Sequence, residues 1–108
     1  MQYVPLHLHS EYSLLDGAIK LKDLCAFAKQ NDMPAVAVTD HGVMYGAIDF
    51  YKTAKEMGVK PLIGCEFYVY QGDLSEKNQS KNLLNHLVLI AKNKQGYANL
   101  VKLVSIAH

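Results

Sequence analysis

The sequence predicts an α/β fold in which strands and helices alternate along the chain. Short apolar runs recur at Tyr3–His9, Ala35–Thr39, Pro61–Tyr70 and His86–Ala91. Segments with apolar residues at helical spacing fall between or after them, at Ile19–Gln30, Met44–Met57 and Tyr97–Ala107. Polar residues with chemical capacity stand in or beside the apolar runs, and parallel α/β folds place their sites at strand ends.

Taken in order, Tyr3–His9 reads as a first strand, with Leu6 and Leu8 on one face and His7 and His9 on the other. A loop over Ser10–Gly17 follows. Ile19–Gln30 is expected to be a helix that buries Leu21, Leu24, Cys25 and Ala28, and Asn31–Pro34 stops it. Ala35–Thr39 is a continuous apolar run, as in a strand covered on both faces. Met44–Met57 is a second helix, with Gly58 suited to its C-terminal cap. Pro61–Tyr70 returns as a strand, Gly72–Asn85 is a polar surface loop, and His86–Ala91 is a further strand. Tyr97–Ala107 closes as a helix with Leu100, Leu103, Val104 and Ala107 along one stripe. This rhythm argues for a parallel sheet or barrel. It stops in mid-pattern, so the chain is expected to be a fragment of something longer.

Composition narrows the function classes. A chain of 108 residues, half of them hydrophobic, can bury one small core. The net charge is +1 with both signs interspersed, so no strongly basic nucleic-acid face is expected. Cys25 and Cys65 stand far apart, with no CxxC pair, and read as buried thiols rather than a disulfide or zinc knuckle. No apolar run approaches the roughly 18 residues of a membrane span. No basic segment leads into a long apolar stretch, as a signal peptide requires. The expectation is a cytoplasmic protein with no membrane partner.

The chemical residues form a set. His7 and His9 lie two apart, so in a strand both imidazoles reach the same way. Asp16-Gly17 suits either an Asx turn or a ligand in the next loop. Thr39-Asp40-His41-Gly42 follows an apolar strand directly. Glu66 interrupts a third apolar run and needs a salt bridge, a hydrogen-bond network or a metal to offset its burial. His86 opens the fourth run. If the strands are parallel neighbours, His7, His9, His41 and Glu66 converge on one rim, with imidazole and carboxylate donors that suit zinc, manganese or iron. Ions sharing a bridging carboxylate can activate water and neutralise phosphate oxygens, as phosphoester hydrolysis requires. His86 fits less simply. In a plain antiparallel hairpin it would face Tyr70, more than about 10 Å along the strand from Glu66 at roughly 3.3 Å per residue. Sharing a metal then requires a parallel or offset pairing, and a structural role is the alternative.

HLHSEYSLLDG (7–17), TDHG (39–42), GCE (64–66) and NHLVLIAKN (85–93) together resemble the successive motifs of the PHP (polymerase and histidinol phosphatase) superfamily. The resemblance implies a distorted (β/α)7 barrel, incomplete in this chain, around a trinuclear metal centre. It puts His7, His9 and Glu66 on one metal, Glu66 and His86 on a second, and Asp16 and His41 on a third. The family's remaining ligands lie later in the domain. SLLDGAIKLKDL, the stretch from TDHG to FYVY and the closing AKNKQGYANLVKLVSIAH are similar to the replicative-polymerase branch of the superfamily.

For that branch the resemblance implies a DNA-directed polymerase in which the polymerase carboxylates and their magnesium lie far downstream. The PHP part would be a metal-dependent phosphoesterase or 3′–5′ exonuclease, or structural support. DNA, deoxynucleotides, a proofreading exonuclease, a sliding clamp and a clamp loader would be the partners. The isolated 108 residues would be inactive as a nuclease and marginally stable. Two other readings stand beside this one: a free-standing phosphoesterase such as a histidinol-phosphatase-like enzyme, and a non-catalytic scaffold stabilised by metal.

Overall fold

The computed structural model describes residues 3–13, 17, 19–70 and 84–107. The described elements run α1 (Leu21–Gln30), β1 (Ala35–His41), α2 (Ala47–Met57), β2 (Lys60–Tyr70), β3 (Leu84–Ile90) and α3 (Lys94–Ala107). The strands form one sheet in the order β1-β2-β3. β1 and β2 are parallel and joined through α2, whereas β2 and β3 are antiparallel. The wholly parallel sheet expected from the sequence is thus corrected to a mixed one. Among the described elements β3 follows β2 and pairs with it directly, antiparallel from Gly64 opposite Ile90 to Tyr70 opposite Leu84.

Side-chain alternation gives the sheet two unlike faces. Val36 and Val38 of β1 share a face with Ile63 of β2, and they pack with Leu21, Leu24, Cys25 and Ala28 of α1 and with Phe50 and Ala54 of α2. Phe50 is wholly buried at the centre of this core, so its truncation to alanine should cost about 3–5 kcal/mol. The other face carries Thr39, His41, Gly64, Glu66 and Tyr68. An apolar groove of about 530 Å³, lined by Ile48, Tyr51, Pro61, Ile63 and Tyr97 among others, opens away from that second face.

The element ends differ from sequence expectation for local reasons. Residues 3–9 do not form a regular strand. Ala37 N–H donates to Pro5 O at 3.2 Å and Thr39 N–H to Leu8 O at 2.8 Å, so three steps of this segment accompany two of β1. The extra residue breaks the ladder while the segment still runs along β1 in the same direction. Ile19 stays outside α1 because it bridges Ser10 and its carbonyl accepts Glu11 N–H at 2.8 Å. α3 begins at Lys94, ahead of Tyr97, because Asn93 Oδ1 accepts Gly96 N–H at 2.9 Å, an N-cap. Gly58 closes α2 at φ 75° as expected, a left-handed cap conformation that favours glycine. Most of the polar Gly72–Asn85 stretch lies outside the described residues, while Asn85 itself belongs to β3.

Candidate metal centre

Strand register creates the site. His41, the last residue of β1, is the parallel partner of Glu66. Tyr68 follows Glu66 by two residues on the same face and lies opposite His86 of β3. His86 is therefore the diagonal neighbour of Glu66 across the hairpin, a position from which a long side chain reaches it. Its Nδ1 lies 3.4 Å from Glu66 Oε1, and His41 Nδ1 lies 3.1 Å from the same oxygen. The hairpin is antiparallel and offset by two residues from the simple register, and that offset brings His86 within reach.

The other carboxylate oxygen is met from the N-terminal segment. His7 Nε2 contacts Glu66 Oε2 directly, and His9 Nε2 lies 3.2 Å from it. The segment is held there by Thr39, which is wholly buried. Thr39 Oγ1 accepts Leu8 N–H at 3.0 Å and donates to Leu8 O at 3.3 Å, beside the Thr39 N–H bond already described. A hydroxyl in place of a backbone carbonyl thus compensates for the broken ladder between His7 and His9.

A second buried carboxylate anchors the turn that follows. Asp40 accepts from Ser10 N–H at 2.6 Å, Ser10 Oγ at 2.7 Å and Ser13 Oγ at 3.0 Å. Ser13 Oγ in turn accepts the backbone N–H of His41 at 3.0 Å. Ser10, Ser13 and Asp40 are all buried, so the network fixes the exit of His9 against the backbone that presents His41.

Glu66 is 2% exposed, which would leave a lone carboxylate expensive to ionise. Burial pushes its pKa up, but the His7 and His9 imidazoles more than offset that, and the carboxyl is held below its ordinary range. His41 Nδ1 is buried and makes no hydrogen bond among the described residues, although Glu66 Oε1 is 3.1 Å away. A nitrogen and an oxygen that close, not aligned on each other, suit a shared cation between them. Two sets of ligand atoms lie within 4.8 Å of one another: His7, His9 and Glu66, and His41, Glu66 and His86. Neutral imidazoles around one carboxylate form a donor set for a divalent metal. His41 groups here with Glu66 and His86, whereas the resemblance pairs it with Asp16; Asp16 lies outside the described residues.

Two contributors escape a motif-based reading. Tyr68 Oη lies 2.6 Å from His41 Nε2, and the Tyr68 ring packs edge-on to His86 at 4.8 Å between centroids. Its signal in the sequence is its spacing of two from Glu66 within a strand. Asp40 has a weaker signal, an acidic residue at the end of an apolar strand, and its serine partners are recognisable only once the loop is folded.

A parallel β1–α2–β2 unit with its imidazoles and carboxylate gathered on one sheet face defines the class. Residues 5–108 match the family model described as the PHP domain, and the chain belongs to that family. Among curated relatives it is similar to the DNA polymerase III subunit alpha of Campylobacter jejuni, 52% identical over 104 residues, 96% of this chain and 9% of the relative. The corresponding subunit of Helicobacter pylori is 50% identical over 106 residues, 98% of this chain and 9% of the relative. That of Chlamydia pneumoniae is 46% identical over 109 residues, 99% of this chain and again 9% of the relative. The chain thus spans 9% of the length of each of these relatives.

Among solved structures, a protein from Bifidobacterium adolescentis classed as a metal-dependent phosphoesterase superposes with a TM-score of 0.66 at 19% identity, covering 94% of this chain and 32% of that one. An amidohydrolase from Chromobacterium violaceum gives 0.64 at 24% identity, covering 92% and 32%. Both likenesses concern the fold. No helix among the described residues is long and apolar enough to cross a membrane.

Proposed function

We propose that this chain is the N-terminal part of the PHP domain of a bacterial replicative polymerase, a DNA polymerase III alpha subunit. In this reading His7, His9, His41, Glu66 and His86, with Asp16, hold divalent metal ions. One observation carries the metal assignment: four imidazoles from three separate segments converge on one buried carboxylate. Four histidines around one glutamate exceed what a structural ion pair needs. Residues beyond this chain would complete a distorted (β/α)7 barrel and supply the late ligands. The nitrogen-rich donor set favours zinc, manganese or iron over magnesium or calcium.

When bound, such ions supply Lewis-acid stabilisation for phosphoester oxygens and an activated water at neutral pH. The chain's own residues arrange this. Glu66 spans both ligand groups, Thr39 sets the spacing of His7 and His9, and Asp40 holds the intervening turn. The chemistry supported is phosphoester hydrolysis, expressed in a polymerase as removal of 3′ nucleotides. DNA and deoxynucleotides, with magnesium, would meet the polymerase domain elsewhere in the protein. A proofreading exonuclease, a sliding clamp and a clamp loader would be its partners in the cytoplasm.

The test uses the full-length protein with His9→Ala or Glu66→Ala. Metal content and degradation of single-stranded DNA from the 3′ end should both fall, while nucleotide incorporation is largely retained. Wild-type protein with bound metal and no nuclease activity would instead assign the centre to structural support. Equal loss of nuclease and polymerase activity with the fold intact would contradict a separate hydrolytic site.

A further inference from the structure

We infer that Tyr68 is a positioning residue for the metal centre, fixing the tautomer and the angle of His41 through its phenolic hydroxyl. The inference rests on the reading of His41 as a ligand, and deepens it.

Tyr68 is half-exposed, so core packing does not dictate its orientation. Its polar atom nevertheless has a defined place, 2.6 Å from His41 Nε2. The opposite ring nitrogen, His41 Nδ1, is the buried one that faces Glu66 Oε1 at 3.1 Å without hydrogen-bonding it. A neutral imidazole carries one proton. If Nδ1 offers its lone pair to a cation, Nε2 must hold that proton and donate it, and Tyr68 Oη is the acceptor in place. Imidazole ligands to metals commonly rely on such an outer partner, which selects the tautomer and makes the ligand nitrogen more basic.

The Tyr68 ring has a second task. It lies 5.0 Å from the His41 ring and 4.8 Å from the His86 ring, between centroids, so one side chain borders both imidazoles of the second ligand group. Backbone register makes this obligatory. Tyr68 is the cross-strand partner of His86 and lies two residues beyond the partner of His41. The influence of Tyr68 should therefore fall chiefly on that ligand group.

Tyr68→Phe separates these tasks, because it deletes the hydroxyl and keeps the ring. In the full-length protein, cobalt(II) is titrated by calorimetry and by its visible absorption. Tyr68→Phe should retain the fold and weaken the second cobalt equivalent about 10-fold. It should also alter that equivalent's ligand-field bands, with a smaller effect on the first equivalent. In a His41→Ala background the same substitution should have no further effect. Cobalt affinity and spectrum identical to wild type in Tyr68→Phe would overturn the inference, provided Glu66→Gln still weakens binding. An additive effect in the His41→Ala background would overturn it too. Wild-type protein that binds no cobalt would sink the metal reading itself, and this inference with it.

Discussion

His41 and Glu66 are register partners on adjacent parallel strands, and His41 Nδ1 stands 3.1 Å from Glu66 Oε1. β1 ends at His41, but β2 continues to Tyr70 with β3 as its partner. The centre therefore forms where a parallel pair gives way to a hairpin. One side of Glu66 is reached from the β1 end and the N-terminal segment, the other from β3.

The Asp40 network should be a principal stabiliser of that junction. Asp40→Ala leaves Ser10 N–H, Ser10 Oγ and Ser13 Oγ without their acceptor in a buried setting. A loss of at least about 2 kcal/mol is expected. Asp40→Asn should cost less, because an amide oxygen can still accept one of these bonds. Denaturant unfolding followed by circular dichroism measures both. Equal stability of Asp40→Ala and wild type would show that the turn is held by other means.

At Gly64 the backbones of β2 and β3 approach closely beside the site. A Cβ there would sit 2.4 Å from Leu89 O and 2.9 Å from Thr39 Cγ2. The first obstacle is main chain and cannot rotate away. Gly64→Ala should therefore destabilise by about 1–3 kcal/mol and loosen the β2–β3 register that presents His86. Amide hydrogen exchange should accelerate across β3, and unchanged protection there would contradict the packing argument.

Both cysteines should be free thiols that resist modification in the native state. Cys25 lies in the helix core and Cys65 in the central strand, both wholly buried and unpaired. Burial pushes the Cys65 thiol up to about 11, so little reactive thiolate forms near neutral pH. A chromogenic disulfide reagent should titrate neither in native protein and both after denaturation. Rapid native labelling of Cys65 would mean that the central strand opens readily.

Periodicity explains which features are legible in the sequence. α1 is recognisable because Leu21, Leu24, Cys25 and Ala28 repeat at helical spacing, and those are the residues it buries. β1 is readable from its apolar run, yet its extension through Asp40 and His41 is not, because polar residues remain in the strand only through pairing with β2. The His7/His9 pair is visible as a motif. Its backbone is not, since Thr39 Oγ1 substitutes for a ladder acceptor in a way no alternation pattern encodes. The convergence of His41 with Glu66 follows from strand ends alone. Contact of His86 with Glu66 depends on a two-residue hairpin offset, which only the folded register determines. Tyr68 is illegible for the opposite reason: an alternating strand tyrosine looks like ordinary surface, and only the fold sets its hydroxyl against His41.

The central claim is that Glu66 is the shared carboxylate of a divalent-metal centre, and Glu66→Gln tests it most directly. Glutamine keeps the size and one oxygen, but removes the charge that offsets bound cations. Wild-type and variant full-length protein would be stripped by chelator, dialysed against zinc or manganese, and analysed by elemental mass spectrometry alongside circular dichroism. The account predicts stoichiometric metal on the wild type and a drop of at least about 10-fold in affinity in the variant, with the fold retained. Metal content and affinity equal in the two proteins would contradict it.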